Sequence, residues 1–309
     1  MNTHRISAYL MLLAVSVIWG IAGPVIKFTL GSFPPLIFLA YRFAVSSVIA
    51  TVVLGTTKVK LPKHPNDVLG IFLYSVFSVT IALGLLFFGF EKTTSLVGTV
   101  IAATGPLVTV AVGALLLRER VTPVERWGIT IATIGTILTI AAPVFTDGAM
   151  PSGTVLGNLL VIASVFVDAI SVYLAKLLVR GRTPPAALTH ISFLIGFLTI
   201  APLVLASHTP QDIVQTIVRA PPWAHAGVWF MAIVSGTVAY TLRNRAVKTI
   251  EISEAAVFTY LQPLWAAPLS LMWLGETITA PFVAGAIIIA MGVALSEWKQ
   301  GWKHGRIRL

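Results

Sequence analysis

Two ionisable side chains stand inside long apolar runs, where a charge is costly and marks either a functional group or a structural pair. Arg42, in "PPLIFLAYRF", lies about eight residues into its run, roughly 12 Å deep if that run is a helix rising about 1.5 Å per residue. Asp168, in "VIASVFVDAISVY", has no Lys or Arg within one helical turn in sequence. A carboxylate at such depth can bind a substrate ammonium or carry a proton, and Arg42 can couple charge with it. The rival reading is structural: Arg42 paired with Asp168 or with backbone carbonyls. Trp19, in "IWG" ahead of Gly23, offers either packing or a cation–π face to an ammonium group.

Polar groups also gather at two prolines. Thr104 precedes Gly105 and Pro106, while Tyr260 and Gln262 precede Pro263. A proline within a helix donates no N–H and frees a carbonyl, so each point offers polar groups in the middle of an apolar run and a hinge. Trp19, Thr104, Asp168, Tyr260 and Gln262 are the candidate substrate-binding residues, with Pro106 and Pro263 as hinges. Glu119 and Glu276 stand at helix ends and read as caps or ion-pair partners, Glu119 beside Arg118, Arg120 and Arg126. Glu254, with Glu251, neighbours Arg243, Arg245 and Lys248 in an interface charge network that could act as a gate.

The same survey removes other chemistries. No G-x-x-x-x-G-K-[ST] phosphate loop, no metal-spaced His/Asp/Glu cluster and no Ser-centred elbow occur in the sequence, and it contains no Cys. No cofactor, metal or catalytic role is expected.

Composition says what must hold these residues. The chain has 309 residues, of which 57% are hydrophobic and 10% charged, and a mean hydropathy of +0.91. Soluble domains carry about a quarter charged residues, so this is a membrane protein with the lipid bilayer as its surroundings. Apolar runs bounded by Gly, Pro or charge predict ten spanning helices, approximately 8–28, 34–56, 67–90, 95–117, 124–144, 155–178, 184–206, 223–246, 253–274 and 280–298. The N-terminal run continues to Phe28 without a small-residue cleavage motif and reads as the first of them. The connection "SHTPQDIVQTIVRAPP" is long enough for a short interfacial helix.

Charge supplies orientation. With the N-terminus inside, seventeen of the 21 Lys and Arg fall on the inner side, and only Lys27, Lys92 and Arg219 fall outside. That asymmetry predicts cytoplasmic termini in a cytoplasmic membrane and accounts for the net charge of +10 without a nucleic-acid partner.

The chain also repeats itself. "GPLVTVAVGALLLRERVT" is echoed 157 residues later by "QPLWAAPLSLMWLGETIT", with Pro106 on Pro263, Glu119 on Glu276, Gly128 on Gly285 and Gly135 on Gly292. Five helices followed by five place the second half upside down relative to the first, an arrangement recurrent in secondary transporters. The halves are expected at 1–146 and 147–309, the latter with a basic tail.

Four stretches now carry a family likeness: "SVIWGIAGPVIK", "PPLIFLAYRF", "GPLVTVAVGALLLRERVTPVERWGITIATIGTIL" and "QPLWAAPLSLMWLGETITAPFVAGAIIIAMGVAL". The chain resembles the drug/metabolite transporter superfamily and, within it, the EamA-type ten-helix members. The resemblance implies that helices 1, 3, 4, 6, 8 and 9 surround a central cavity faced by Asp168, and that a monomer is sufficient. It also implies movement of amino acids, related metabolites or drugs across the cytoplasmic membrane. The expected function is alternating-access transport of a small-molecule substrate, an amino acid or related zwitterion or cation, in the direction of export. A broad-specificity drug or cation carrier is the alternative within the class, and a channel or scaffold the alternative outside it.

Overall fold

The computed structural model describes residues 3–56, 64–116, 123–141, 153–181, 183–249, 255 and 258–298, and every regular element among them is helical. Among the described residues, twelve helices of eight residues or more run in chain order: α1 Thr3–Leu30, α2 Pro35–Thr56, α3 Pro65–Lys92, α4 Ser95–Ala102, α5 Gly105–Leu116, α6 Pro123–Ala141, α7 Val155–Arg180, α8 Pro185–Ser207, α9 Pro210–Arg219, α10 Pro222–Thr249, α11 Gln262–Met272 and α12 Ala280–Trp298. Many begin with proline at the first turn, where its missing N–H deprives the helix of nothing.

Seven stretches among the described residues are long and apolar enough to cross a membrane: most of α1, then α2, α3, Ser95–Val112 across α4 and α5, α7, α8 and α10. Ten spans were expected, and seven meet that measure among the described residues. The fifth, ninth and tenth expected segments coincide with α6, α11 and α12, but α11 has only 11 residues because its helix starts after a break. The short helix expected in the connection between α8 and α10 is present as α9, where the Thr209 hydroxyl accepts from the Asp212 N–H and the Asp212 carboxylate accepts from the Thr209 N–H.

Lipid offers little hydrophobic force between helices, so close packing must come from aromatic interlock and small residues. Phe33, Phe38, Phe43, Phe87 and Phe193 are fully buried in one cluster that joins α1, α2, α3, α8 and α10. Glycines do the complementary work between α6 and α12. A Cβ on Gly135 would lie 2.8 Å from the Gly285 carbonyl oxygen, and one on Gly292 would lie 2.6 Å from the Gly128 carbonyl oxygen. The two contacts mirror one another, since Gly135 and Gly292 are repeat equivalents and so are Gly128 and Gly285.

The repeat spacing recurs in the backbone. α3 and α10 are each 28 residues long, with Pro222 standing 157 positions after Pro65. Each is interrupted by a π-helical stretch, Ser75–Ala82 and Phe230–Val238. Ala103–Thr104 break the helix between α4 and α5, and Tyr260–Leu261 form the corresponding break before α11.

Candidate substrate cavity

A cavity of about 230 Å³ lies at the centre of the bundle. Its wall is drawn from α1, α3, α4 and α5, α7, α10 and the segment leading into α11, the six spans the resemblance assigned to it, with Arg42 reaching in from α2. The two broken helices contribute equivalent positions. Pro106 and Pro263 sit in the first turn of α5 and α11, and each withholds a donor from the carbonyl four residues earlier, Ala102 and Thr259. Both of those residues line the cavity.

Asp168 faces this space, with its side chain 39% exposed and its Oδ2 3.8 Å from Arg243 Nη2. The Ser171 hydroxyl donates to Asp168 Oδ1 at 2.8 Å, and the Ser78 hydroxyl, on the π-helical stretch of α3, approaches the same oxygen at 3.4 Å. The distance of 3.8 Å is longer than the 2.7–2.9 Å of a formed charge-assisted bond. This is an open ion pair that another charged group can enter.

Trp19 lines the same cavity. Its Nε1 donates to the Ser235 carbonyl at 3.0 Å, and the Arg243 guanidinium lies 5.4 Å from its ring centroid. The Tyr240 ring meets Trp19 edge-on at 5.2 Å. Gly20 lets α1 approach this closely, because a Cβ there would lie 2.7 Å from the Gln262 carbonyl oxygen. Trp19 is thus fixed as a wall and already carries a cation.

The sequence expectations separate at this point. Trp19, Arg42, Asp168, Gln262 and Pro106 line one cavity, whereas Thr104, Tyr260 and Pro263 are not among its lining residues. The Thr104 hydroxyl donates to Ile101 O at 2.7 Å within its own turn. The rival pairing of Asp168 with Arg42 is not what is found, since the cation beside Asp168 is Arg243. Arg243 was read as part of an interface charge run, and nothing in "TLRNRAVK" signals that this one basic residue turns inward.

Glu276 has a defined structural place. Its carboxylate accepts the backbone N–H of Ser95 at 2.5 Å and of Leu96 at 2.9 Å, capping the first turn of α4. Lys27 Nζ answers it nearby, donating to the Phe90 and Glu91 carbonyls at the C-terminal end of α3. Charges of opposite sign therefore meet the helix ends they favour. Phe28 completes this end of the bundle, 4.3 Å from both Trp223 and Trp273. Glu119 and Glu254 lie outside the described residues.

The described residues hold no group of three or more His, Cys, Asp or Glu placed to bind a metal. Two cations, one carboxylate, hydroxyls and aromatic rings around a small space suit reversible binding of a small polar molecule.

The model of the EamA-like transporter family matches the chain twice, over residues 6–141 and 155–298. "Uncharacterized transporter YyaM" of Bacillus subtilis is 25% identical over 94% of this chain and 93% of its own. The "Probable amino-acid metabolite efflux pump" of Salmonella typhimurium is also 25% identical, over 94% of this chain and 95% of its own. A solved crystal structure, 16% identical and matched over 94% of this chain and 96% of that one, superposes with a TM-score of 0.66, a likeness of fold.

Proposed function

The chain belongs to the EamA-like transporter family, and from that premise we propose that it is a secondary carrier for small polar metabolites, amino acids or related zwitterions, working by alternating access and in the direction of export. The observation that carries the reading is the cavity itself. Two helices broken at repeat-equivalent positions present Ala102 and Thr259 to the same space as Asp168, Arg243 and Trp19. Discontinuous helices meeting at a repeat interface are where such carriers bind substrate.

The ten-span inverted architecture, with halves at 1–146 and 147–309, is part of the proposal. Support comes from the mirrored glycine contacts of α6 and α12 and from the matched lengths of α3 and α10. An inverted pair of similar halves can exchange conformations, which moves the opening from one face to the other. Glu276 and Lys27 hold the Leu30 end together in the state described here, so release of that end is the motion proposed. The charge asymmetry supports cytoplasmic termini and an inner-membrane location, and one chain encloses the cavity, so a monomer suffices.

In the proposal Trp19, Asp168 and Gln262 contact substrate, and Asp168 is the group through which a proton gradient would act. Thr104, Tyr260, Pro106 and Pro263 serve the two helix breaks and their hinge motion. Amino-acid substrates draw support from the Salmonella typhimurium relative's printed name; a broad-specificity cation carrier is the reading that the same cavity must be tested against.

The test is transport by purified protein in liposomes, with labelled amino acids, choline-like cations and sugars, with and without a pH gradient, beside Asp168→Asn. Saturable flux that responds to the gradient only when Asp168 is present supports the proton-coupled carrier. Saturable flux indifferent to both makes the protein a facilitator with a structural Asp168.

A further inference from the structure

Arg42 is the one cavity-lining cation for which the structure provides no anion among the described residues. It is 1% exposed, and its Nε and Nη1 have no hydrogen-bond partner. The guanidinium carbon lies 5.7 Å from the Phe43 ring centroid and 5.6 Å from that of Phe87. Ring faces offset only part of the desolvation of a buried cation, and they leave the Nε and Nη1 donors unused. The carboxylate that sequence depth made available to it, Asp168, stands beside Arg243 instead. A desolvated guanidinium at the wall of a cavity, with Nε and Nη1 unpartnered, is prepared for an anion that supplies the missing acceptors.

We propose that Arg42 is the docking group for the carboxylate of the transported molecule, so that this cavity takes small carboxylate-bearing metabolites and rejects simple organic cations. The charge balance agrees. Two guanidinium groups and one carboxylate line the cavity, leaving one positive charge that a monocarboxylate neutralises and a zwitterion does not increase. A cation would add a second uncompensated charge to a low-dielectric space. For an amino acid the open Asp168–Arg243 pair supplies the complementary place, with the substrate ammonium drawn to Asp168 while its carboxylate sits on Arg42. The cavity volume of about 230 Å³ limits the molecule to small metabolites.

The inference rests on the carrier reading for the use of the site, but its test is separable from it. Thermal stabilisation of the detergent-purified protein is measured with the common amino acids, straight-chain monocarboxylates from acetate to hexanoate, the matching alkylamines, and choline, all at constant ionic strength. Amino acids or monocarboxylates are expected to raise the melting temperature, and the amines and choline are not. Arg42→Gln is expected to weaken that binding by roughly 30-fold or more, as for loss of one partner of a buried charge pair. Arg42→Lys, which keeps the charge without the fork, is expected to retain part of it. If Arg42→Gln does not fold, competition on the unmodified protein decides: a carboxylate ligand must be displaced by other carboxylates and not by the matching amine. Stabilisation by cations alone, by no carboxylate at all, or by carboxylates undiminished in Arg42→Gln overturns the proposal. Saturable liposome transport of choline without any carboxylate flux overturns it too while leaving the carrier reading intact, whereas carboxylate binding without saturable flux leaves Arg42 in place and removes the carrier.

Discussion

Replacing Glu276 by Ala is expected to unlatch the Leu30 end of the bundle. The carboxylate accepts two backbone N–H groups at the start of α4, and hydrogen bonds to a charged group contribute about 1.5–3 kcal/mol each when buried. Glu276 is only partly buried, so solvent screening reduces the pair to about 2 kcal/mol in total. If the N–H groups are hydrated in the alternate state, that loss falls on the latched state alone. About 2 kcal/mol corresponds to a change of roughly 30-fold in the ratio of unlatched to latched molecules. Glu276→Gln, which keeps an acceptor and loses the charge, is expected to give about half the energy and roughly a fivefold change. The chain contains no Cys, so a single cysteine at the cavity-lining Ala102 is a background-free reporter. Its modification rate by a membrane-impermeant charged thiol reagent, added from the side of Leu30, reads the unlatched population. Unchanged rates in both variants would refute the latch and, with it, the assignment of motion to this end.

Two further outcomes follow from local geometry. Gly135→Leu places a side chain where even a Cβ lies 2.8 Å from the Gly285 carbonyl oxygen and 2.7 Å from Ile289 N, so α6 and α12 must separate at a cost of about 1–3 kcal/mol. The detergent melting temperature should fall by several degrees, while Gly84→Ala, whose Cβ meets nothing within 4 Å, should not lower it by a comparable amount. Acid should release the start of α9, because hydrogen bonds from Thr209 hold the Asp212 carboxyl below its ordinary value of 3.8. A depressed carboxylate stabilises the fold above the unfolded value and loses that contribution as pH falls through the folded one. Protection of the Thr209 amide, taken relative to the unstructured rate at each pH, should therefore fall only below about pH 4, and protection already lost near neutrality would show that the capping box does not hold the helix.

How much of this was legible depended on whether a residue's signal is local. Seven spanning runs, the short helix α9 and the matched helix breaks could be read, because proline starts, apolar length and the 157-residue spacing of Pro106 and Pro263 are properties of the chain itself. The helix breaks at Ala103–Thr104 and Tyr260–Leu261 follow from the same prolines. The shortness of α11 was missed, since hydropathy runs straight through that break. Arg243 was missed for a different reason. Depth along a helix can be counted, but the face a residue presents shifts with each departure from the α period, and the π-helical stretch Phe230–Val238 lies just before it. For the same reason depth suggested a pair between Arg42 and Asp168, whereas azimuth set Asp168 beside Arg243 and left Arg42 between two phenylalanine rings. The embedding of Glu276 in the start of α4 joins residues 181 positions apart, and no local pattern contains it.

The central claim, that one cavity is exposed alternately to the two faces of the membrane, is tested most directly by counterflow in liposomes containing the purified protein. Labelled amino acid taken up at trace concentration should saturate with substrate and should accelerate when unlabelled substrate is preloaded inside, because a carrier returns faster loaded than empty. Flux that rises linearly with concentration and ignores the preload would contradict alternating access and identify a channel.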